Sequence, residues 1–187
     1  MSAPNDRFLT LEGLRSRIEA GDVDTVVLAF ADMQGRLQGK RLHAQYFLDV
    51  AIPSGTEGCN YLLAVDIDMN TVGGYSISSW ERGYGDMEFV PDWDTIRLLT
   101  HLPATAMVQC DLVWLDHSPV DQSPRTILKK QLDRLAERNL VALAGTELEF
   151  ILFNNTYEEA HDLGYRGLTP ANQYNVDYSI VGTTRVE

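Results

Sequence analysis

The segment that decides the fold reads Ala144-Gly145-Thr146-Glu147-Leu148-Glu149-Phe150-Ile151-Leu152-Phe153. Its side chains alternate in character, which predicts a β-strand with Thr146, Leu148, Phe150 and Leu152 on a core face. Glu147 and Glu149 share the other face, with their Cα atoms about 6.6 Å apart. If that face is enclosed, the two charges need a counter-ion, and carboxylate oxygens suit Mg²⁺ or Mn²⁺. The alternative is an edge strand with a solvated acidic face.

Composition indicates an acidic globular protein. The 187 residues are 44% hydrophobic and 22% charged, enough for one domain or two small ones. Lys and Arg number 15 against 27 Asp and Glu, so the net charge of −12 argues against nucleic acid as a partner. No apolar run is long enough to cross a membrane, so we expect no membrane partner. Cys59 and Cys110 lie in apolar runs, which favours buried free thiols and a cytoplasmic location.

The first 116 residues are predicted to form a small α+β unit. A helix begins at the N-cap residue Thr10 and ends at Gly21. Strands are predicted over residues 24–32, 36–42, 60–69, 95–100 and 106–115, with a short helix over 44–50. A polar connection then marks a domain boundary, which divides the chain into residues 1–116 and residues 117–187.

The second part begins with the best-defined helix, over residues 123–139, with Ser123 as N-cap and Pro124 in the first turn. Its apolar stripe is expected to pack on a sheet, and it consists of Ile127, Leu128, Leu132 and Leu135. Residues 140–153 follow as a strand. Residues 154–187 show no clear periodicity, and so long an irregular segment is uncommon in a compact domain. We therefore expect the sequence to stop inside a domain.

Four motifs in this order resemble the glutamine synthetase family, and together they cover nearly the whole chain. The first is Asp32-Met33-Gln34-Gly35-Arg36, after a buried strand. The second runs from Gly85-Asp86-Met87 to Val90-Pro91-Asp92 and Thr95. The third is Asp121-x-Ser123-Pro124-Arg125-x-Ile127-Leu128, and the last is Gly145-x-Glu147-x-Glu149-Phe150.

The resemblance implies a β-grasp N-terminal domain followed by the truncated beginning of the catalytic α/β domain. It implies that Glu147 and Glu149 bind catalytic Mg²⁺ or Mn²⁺, and that Asp66, Asp68 or Asp86 faces a neighbouring subunit's site in a homo-oligomeric, dodecamer-type ring. The implied reaction uses ATP to join ammonia or an amine to the γ-carboxylate of glutamate.

The substrate and the activity of this chain leave alternatives open. The family's "DGSS" loop has no clean counterpart here, and Trp80-Glu81-Arg82-Gly83-Tyr84 also departs from the best-known members. These departures point to a branch that uses polyamines or ethanolamine. A non-catalytic binding or assembly module is a further alternative. No nucleotide-binding motif is present, so we expect the 187-residue chain to be inactive alone.

Overall fold

A computed structural model describes residues 8–81 and 83–172 of the chain, which has a mixed α/β fold. Internal contacts divide the chain into two units, Met1–Ala142 and Leu143–Glu187. The boundary between residues 116 and 117 remains a prediction about domains.

The first unit is built on a sheet of six strands: β1 (Thr25–Ala31), β2 (Leu37–His43), β3 (Glu57–Cys59), β4 (Asp86–Pro91), β5 (Arg97–Leu98) and β6 (Thr105–Trp114). The strand order is β2-β1-β6-β4-β3, and β5 also pairs with β6. The β1–β6 pair is parallel, and every other pair is antiparallel. Strand β6 organises the sheet, because its residues 105–109 pair with β1 and its residues 110–114 pair with β4.

Helices lie before, within and after this sheet. They are α1 (Leu11–Glu19), α2 (Ala44–Tyr46), a π-helical turn (Phe47–Ala51), α3 (Ile52–Ser54), 3₁₀ turns at Asn60–Leu63 and Trp93–Thr95, α4 (Pro124–Ala136) and α5 (Tyr157–Asp162). Helix α1 confirms its prediction, because the Thr10 side chain accepts a hydrogen bond from the Gly13 amide at 3.0 Å. Ser123 precedes α4 as predicted, but its side chain makes no capping hydrogen bond.

The hydrophobic core of the first unit lies where α1 and the π-helical turn cover the sheet. Both β1 and β6 contribute runs of buried residues to it, with Leu28, Ala29 and Phe30 buried in β1 and residues 105–108 buried in β6. Its largest fully buried side chains include Phe30, Phe47, Phe89, Leu14 and Leu28. Phe30 of β1 and Phe89 of β4 pack with ring centroids 5.1 Å apart.

Gly39 allows β1 and β2 to approach each other closely. It faces Ala29 in the register and has a φ of 149°. A Cβ atom at this position would collide with the Leu28 carbonyl oxygen of the opposite strand. Both observations explain why a glycine stands within the strand.

The predicted strand over residues 60–69 is wrong. Residues 60–63 form a 3₁₀ turn, and Leu63, Ala64 and Val65 are buried in succession instead of alternating. Ile67 is 70% exposed, although a strand would place it on the same face as the buried Leu63 and Val65. Side-chain hydrogen bonds to the backbone of this segment, described below, replace the ladder of a strand.

Helix α4 forms where predicted, but its apolar stripe does not pack on the sheet. Ile127, Leu128 and Leu132 are exposed. Thr126 is the buried residue of this helix, and Arg125 forms ion pairs with acids at the sheet. Polar contacts therefore decide which face of α4 is turned inward.

The predicted strand over residues 140–153 is also wrong for the described chain. Residues 140–152 belong to no strand or helix, and only Phe153 forms an isolated bridge, with Pro170. Leu148, predicted on a core face, is 85% exposed. Alternation alone does not make a strand, since the backbone also needs a hydrogen-bonding neighbour.

Candidate functional site

A buried carboxylate organises the hairpin between β1 and β2. The Asp32 side chain is fully buried. It accepts hydrogen bonds from the amides of Gln34 and Arg36, both at 2.9 Å, from Arg36 Nε at 2.8 Å and from Gln38 Nε2 at 3.0 Å. Burial raises the pKa of Asp32, but the hydrogen bonds from Gln38, Arg36 and Gln34 together outweigh it. The resulting pKa is below the ordinary 3.8, so this carboxylate is charged at neutral pH.

The same hairpin holds the loop of residues 65–70, which we call the acidic loop. Arg36 donates from Nη1 to the Ile67 carbonyl at 2.6 Å and from Nη2 to the Asp66 carbonyl at 2.9 Å. Gln34 donates from Nε2 to the Val65 carbonyl at 2.8 Å. Asp32 orients Arg36, and Arg36 positions the backbone of the acidic loop.

The two acids of this loop differ in what their carboxylates do. Asp66 accepts hydrogen bonds from the amides of Asp68 and Asn70, both at 2.9 Å, which closes the turn. The hydrogen bond from the Asn70 amide is the main cause that lowers the pKa of Asp66. The Asp68 side chain is exposed and accepts no hydrogen bond from any described residue. Asp66 therefore shapes the loop, and Asp68 leaves its carboxylate available to a ligand.

Asn60 positions the segment that leads to Asp86. This asparagine is buried and donates from Nδ2 to the Ile77 carbonyl at 3.0 Å. Its amide donates to the Gly85 carbonyl at 2.9 Å, and its Oδ1 accepts from the Gly85 amide at 3.4 Å. Asp86 follows as the first residue of β4, opposite Cys59, and is exposed.

An apolar cleft lies beside these elements. It measures about 220 Å³ and is lined by Cys59, Tyr61, Thr71, Trp80 and Tyr84, which we call the aromatic cleft. The Trp80 ring stands perpendicular to that of Tyr84 with centroids 5.4 Å apart, and the Tyr84 ring stands perpendicular to that of Tyr61 at 6.3 Å. Thr71 forms the bridge with Val65 that closes the acidic loop. The acidic loop and the aromatic cleft are therefore contiguous.

Arg125 attaches α4 to the sheet. Its guanidinium group forms ion pairs with Asp92 and Asp111, the latter at 2.9 Å, and donates to Gln109 Oε1 at 2.8 Å. Lys129 also forms an ion pair with Asp111. Every charge in this cluster has an internal partner, which indicates a structural connection.

The predicted metal ligands, Glu147 and Glu149, lie in the second unit. Both are exposed, on a segment outside regular structure. The described residues contain no group of three or more His, Cys, Asp or Glu side chains placed to hold a metal ion. The metal-binding role of the two glutamates stays a prediction.

The two cysteines are free thiols, as predicted. Cys110 is buried, and this burial raises its pKa to about 12. Cys59 is half-buried and lines the aromatic cleft. No helix of the described residues is long and apolar enough to cross a membrane.

Sequence reasoning missed Arg36 and Asn60 as positioning residues. Arg36 had a signal, because it stands four residues after an aspartate that ends a buried strand. Such an aspartate must find donors nearby once it is buried. Asn60 gave no comparable signal, since its partners Ile77 and Gly85 are 17 and 25 residues away.

The chain was compared with protein-family models and with known proteins. Residues 121–183 match the model described as "Glutamine synthetase, catalytic domain". The chain is 62% identical over 179 residues to the γ-glutamylethanolamide synthetase GlnA4 of Streptomyces coelicolor, covering 96% of this chain and 39% of that protein. The chain belongs to the glutamine synthetase family.

Two further similarities agree with this assignment. A glutamate–isopropylamine ligase of a Pseudomonas species is 31% identical over 90% of this chain and 37% of its own length. A solved structure of a GmaS/ADP complex matches this glutamine synthetase-family chain with a TM-score of 0.50 at 20% identity. The match covers 67% of this chain and 26% of the chain in that structure, and it indicates a shared fold. The chain spans about two fifths of the length of the curated relatives it matches.

Proposed function

We propose that the whole protein is an ATP-dependent ligase that joins a small primary amine to the γ-carboxylate of glutamate. The observation that carries this proposal is the 62% identity to a γ-glutamylethanolamide synthetase over 96% of the chain. The similarity to a glutamate–isopropylamine ligase supports it, because isopropylamine is also a small alkylamine. In this reaction ATP phosphorylates the γ-carboxylate, and the amine nitrogen then displaces phosphate to form the amide.

Glu147 and Glu149 are the proposed metal ligands. Their carboxylates supply hard oxygen donors, which fit Mg²⁺ or Mn²⁺. Two carboxylates do not complete an octahedral shell, so waters, phosphate oxygens and further ligands would fill the remaining positions. Bound there, the cation would neutralise phosphate charge and orient the reacting groups.

Asp68 is the proposed carboxylate that binds the incoming ammonium group. Of the three candidates, Asp66 is occupied by its own turn, whereas Asp68 and Asp86 are exposed. Asp68 belongs to a loop that Arg36 holds through two backbone carbonyls. A carboxylate held in this way can bind an ammonium group and accept its proton as the nitrogen attacks.

We also propose the finer assignments of the architecture. The sheet unit is a β-grasp domain, residues 117–187 begin the catalytic domain, and subunits assemble into a homo-oligomeric ring. In that ring the acidic loop of one subunit faces the reaction site of its neighbour, which would explain an exposed Asp68 on a well-anchored loop.

Product analysis tests the function. The whole protein would be incubated with glutamate, ATP and Mg²⁺, and separately with ethanolamine, isopropylamine, a polyamine or ammonia. We expect γ-glutamylethanolamide or a related alkylamide as the main product. Glutamine as the main product would instead favour a glutamine synthetase, and the absence of any amide would favour a binding or assembly module.

The 187-residue chain provides a matched control for this experiment. We expect it to form no amide alone, because it offers two candidate metal ligands and no recognisable nucleotide-binding motif. ATP-dependent and glutamate-dependent product from residues 1–187 would contradict the assignment of the reaction to a larger protein.

A further inference from the structure

The aromatic cleft presents a large π surface to solvent. Trp80 is 81% exposed, which is unusual for a side chain that normally contributes to a core or an interface. Its ring contacts that of Tyr84 edge to face, and both rings line the cleft. Tyr61, which also lines the cleft, makes a second perpendicular contact with Tyr84.

The walls of the cleft are fixed by backbone hydrogen bonds. The turn that carries Trp80 is closed by the Gly83 amide, which donates to the Ser79 carbonyl at 2.9 Å. The chain after Tyr84 is held by the hydrogen bonds between Gly85 and Asn60. A site whose walls are already in place loses less conformational entropy when a ligand binds.

The chain around the cleft carries more acidic than basic residues, with Asp66, Asp68 and Glu81 against Arg82. None of the described residues that line it is Lys, Arg or His. Glu81 follows Trp80 directly, and its own backbone amide and the Ser79 side chain lower its pKa. The acidic loop, with the free carboxylate of Asp68, meets the cleft at Thr71. An ammonium group in the cleft would therefore meet aromatic faces, and the acidic loop adjoins the cleft at Thr71.

The size of the cleft limits the ligand. Sites for drug-sized molecules measure roughly 300–1,000 Å³, and this one measures about 220 Å³. Aromatic rings attract cations through their negative faces, most strongly at tryptophan. The lining also offers apolar surface to a short hydrocarbon chain.

We propose that the aromatic cleft binds a short primary alkylammonium ion, with its alkyl chain against Trp80 and Tyr84 and its charge toward the carboxylate of Asp68. The inference rests on the proposed function, for which it names the part of the amine that is recognised. Ammonium lacks the alkyl chain and should bind poorly. The cleft therefore selects alkylamines over ammonia.

Binding can be measured on the 187-residue chain without catalysis. The ¹H–¹⁵N signal of the Trp80 indole, assigned by its loss in Trp80→Leu, would be followed during titration with ethanolamine hydrochloride. Isopropylamine serves as a second probe. Ethylene glycol is the neutral counterpart of ethanolamine, and ammonium chloride controls for charge and ionic strength. Tyr75→Leu is the matched control variant, because Tyr75 is an exposed aromatic residue of the same irregular segment that does not line the cleft.

We expect a saturable shift with both alkylamines and none with ethylene glycol or ammonium. Tyr84→Leu and Asp68→Asn should each raise the dissociation constant about fivefold or more, and Tyr75→Leu should leave it unchanged. The proposal is overturned if the Trp80 signal does not respond, if ethylene glycol shifts it equally, or if Tyr75→Leu weakens binding as much as Tyr84→Leu. A Trp80 signal that changes with protein concentration instead of amine would show that a second copy covers the cleft.

The result separates this proposal from the proposed function. If the whole protein forms the amide but its Trp80 signal does not respond to alkylamines, the proposal about the aromatic cleft is wrong and the proposed function stands. Saturable amine binding in a protein that makes no amide would confirm the cleft and contradict the ligase.

Discussion

Replacing Asp32 by alanine should destabilise the first unit and release the acidic loop. The substitution removes a fully buried carboxylate and leaves the amides of Gln34 and Arg36 without their acceptor. It also leaves the Arg36 guanidinium group without its counter-charge. Each of these losses follows from one side chain, so the effect should be large for a single substitution.

The magnitude can be estimated from the exposure of the partners. Removing one partner of a buried ion pair costs about 3–5 kcal/mol. Arg36 keeps 26% of its side chain exposed and retains its hydrogen bonds to two carbonyls of the acidic loop, so the lower end applies. We expect the free energy of unfolding to fall by about 3 kcal/mol. With a urea m-value of about 2 kcal/mol per molar, the midpoint should fall by about 1.5 M.

Urea unfolding at several pH values is the assay. The pKa of Asp32 is lower in the folded chain than its ordinary 3.8, so its contribution to stability is complete above the unfolded pKa. That contribution is lost as the pH falls through the folded pKa. The difference between the wild-type chain and Asp32→Ala should therefore be constant from about pH 7 to pH 5 and should shrink below about pH 3.8.

Two controls make the test specific. Asp22→Ala removes an exposed acid near the start of β1 and should change stability by less than about 0.5 kcal/mol. In Asp32→Ala the amides of Asp68 and Asn70 should exchange hydrogen faster, because Arg36 no longer holds their loop. A loss below about 1 kcal/mol, or an equal loss at every pH, would refute the assignment of Asp32 as the charged centre of the hairpin.

Three further substitutions or reactions test other parts of the fold. Gly39→Ala should lower stability by more than about 1 kcal/mol in urea unfolding and should cost more than Gly73→Ala, whose added Cβ meets no atom within 4 Å and whose φ is not positive. Arg125→Met should cost about 2 kcal/mol, because Asp92 loses its ion-pair partner and Asp111 keeps only Lys129, whereas Arg134→Met, on the exposed side of α4, should cost less than about 0.5 kcal/mol. The Cys110 thiol, with its pKa raised to about 12, should react with a thiol reagent at pH 8 only after unfolding; rapid labelling of Cys110 in a folded Cys59→Ser chain, which lacks the half-buried second thiol, would contradict its burial.

The elements that sequence could predict are those whose partners supply ordinary apolar burial. Strands β1 and β6 were predictable because both are runs of buried apolar residues that lie between two neighbouring strands. Strand β4 was missed although Met87 and Phe89 alternate with Asp86 and Glu88, because Val90 and Pro91 end the alternation after four residues. The strand over residues 140–153 was predicted from alternation and is absent, since the described residues offer its backbone no ladder.

The sequence predicted which acidic residues belong to the candidate site, but it did not predict how their side chains are arranged. The position of Asp68 was named together with Asp66, and only the hydrogen bonds of the turn separate their roles. Trp80 and Tyr84 stood out in the sequence as a departure from the family's pattern, and Tyr61 was assigned to a strand that does not form. Contacts between residues about 20 positions apart carry no local signal, so sequence patterns cannot reveal them.

Polar side chains, rather than apolar burial, hold both loops that we assign to amine recognition. Arg36 fixes the acidic loop through carbonyls, and Asn60 fixes the segment of Trp80 and Tyr84 in the same manner. The ligand-facing side chains Asp68 and Trp80 are exposed and contribute little to this support. Substitutions of the ligand-facing residues can therefore change the preferred amine at small cost in stability. Substitutions of Arg36 or Asn60 should reduce binding of every amine together, because they displace a whole loop instead of one contact.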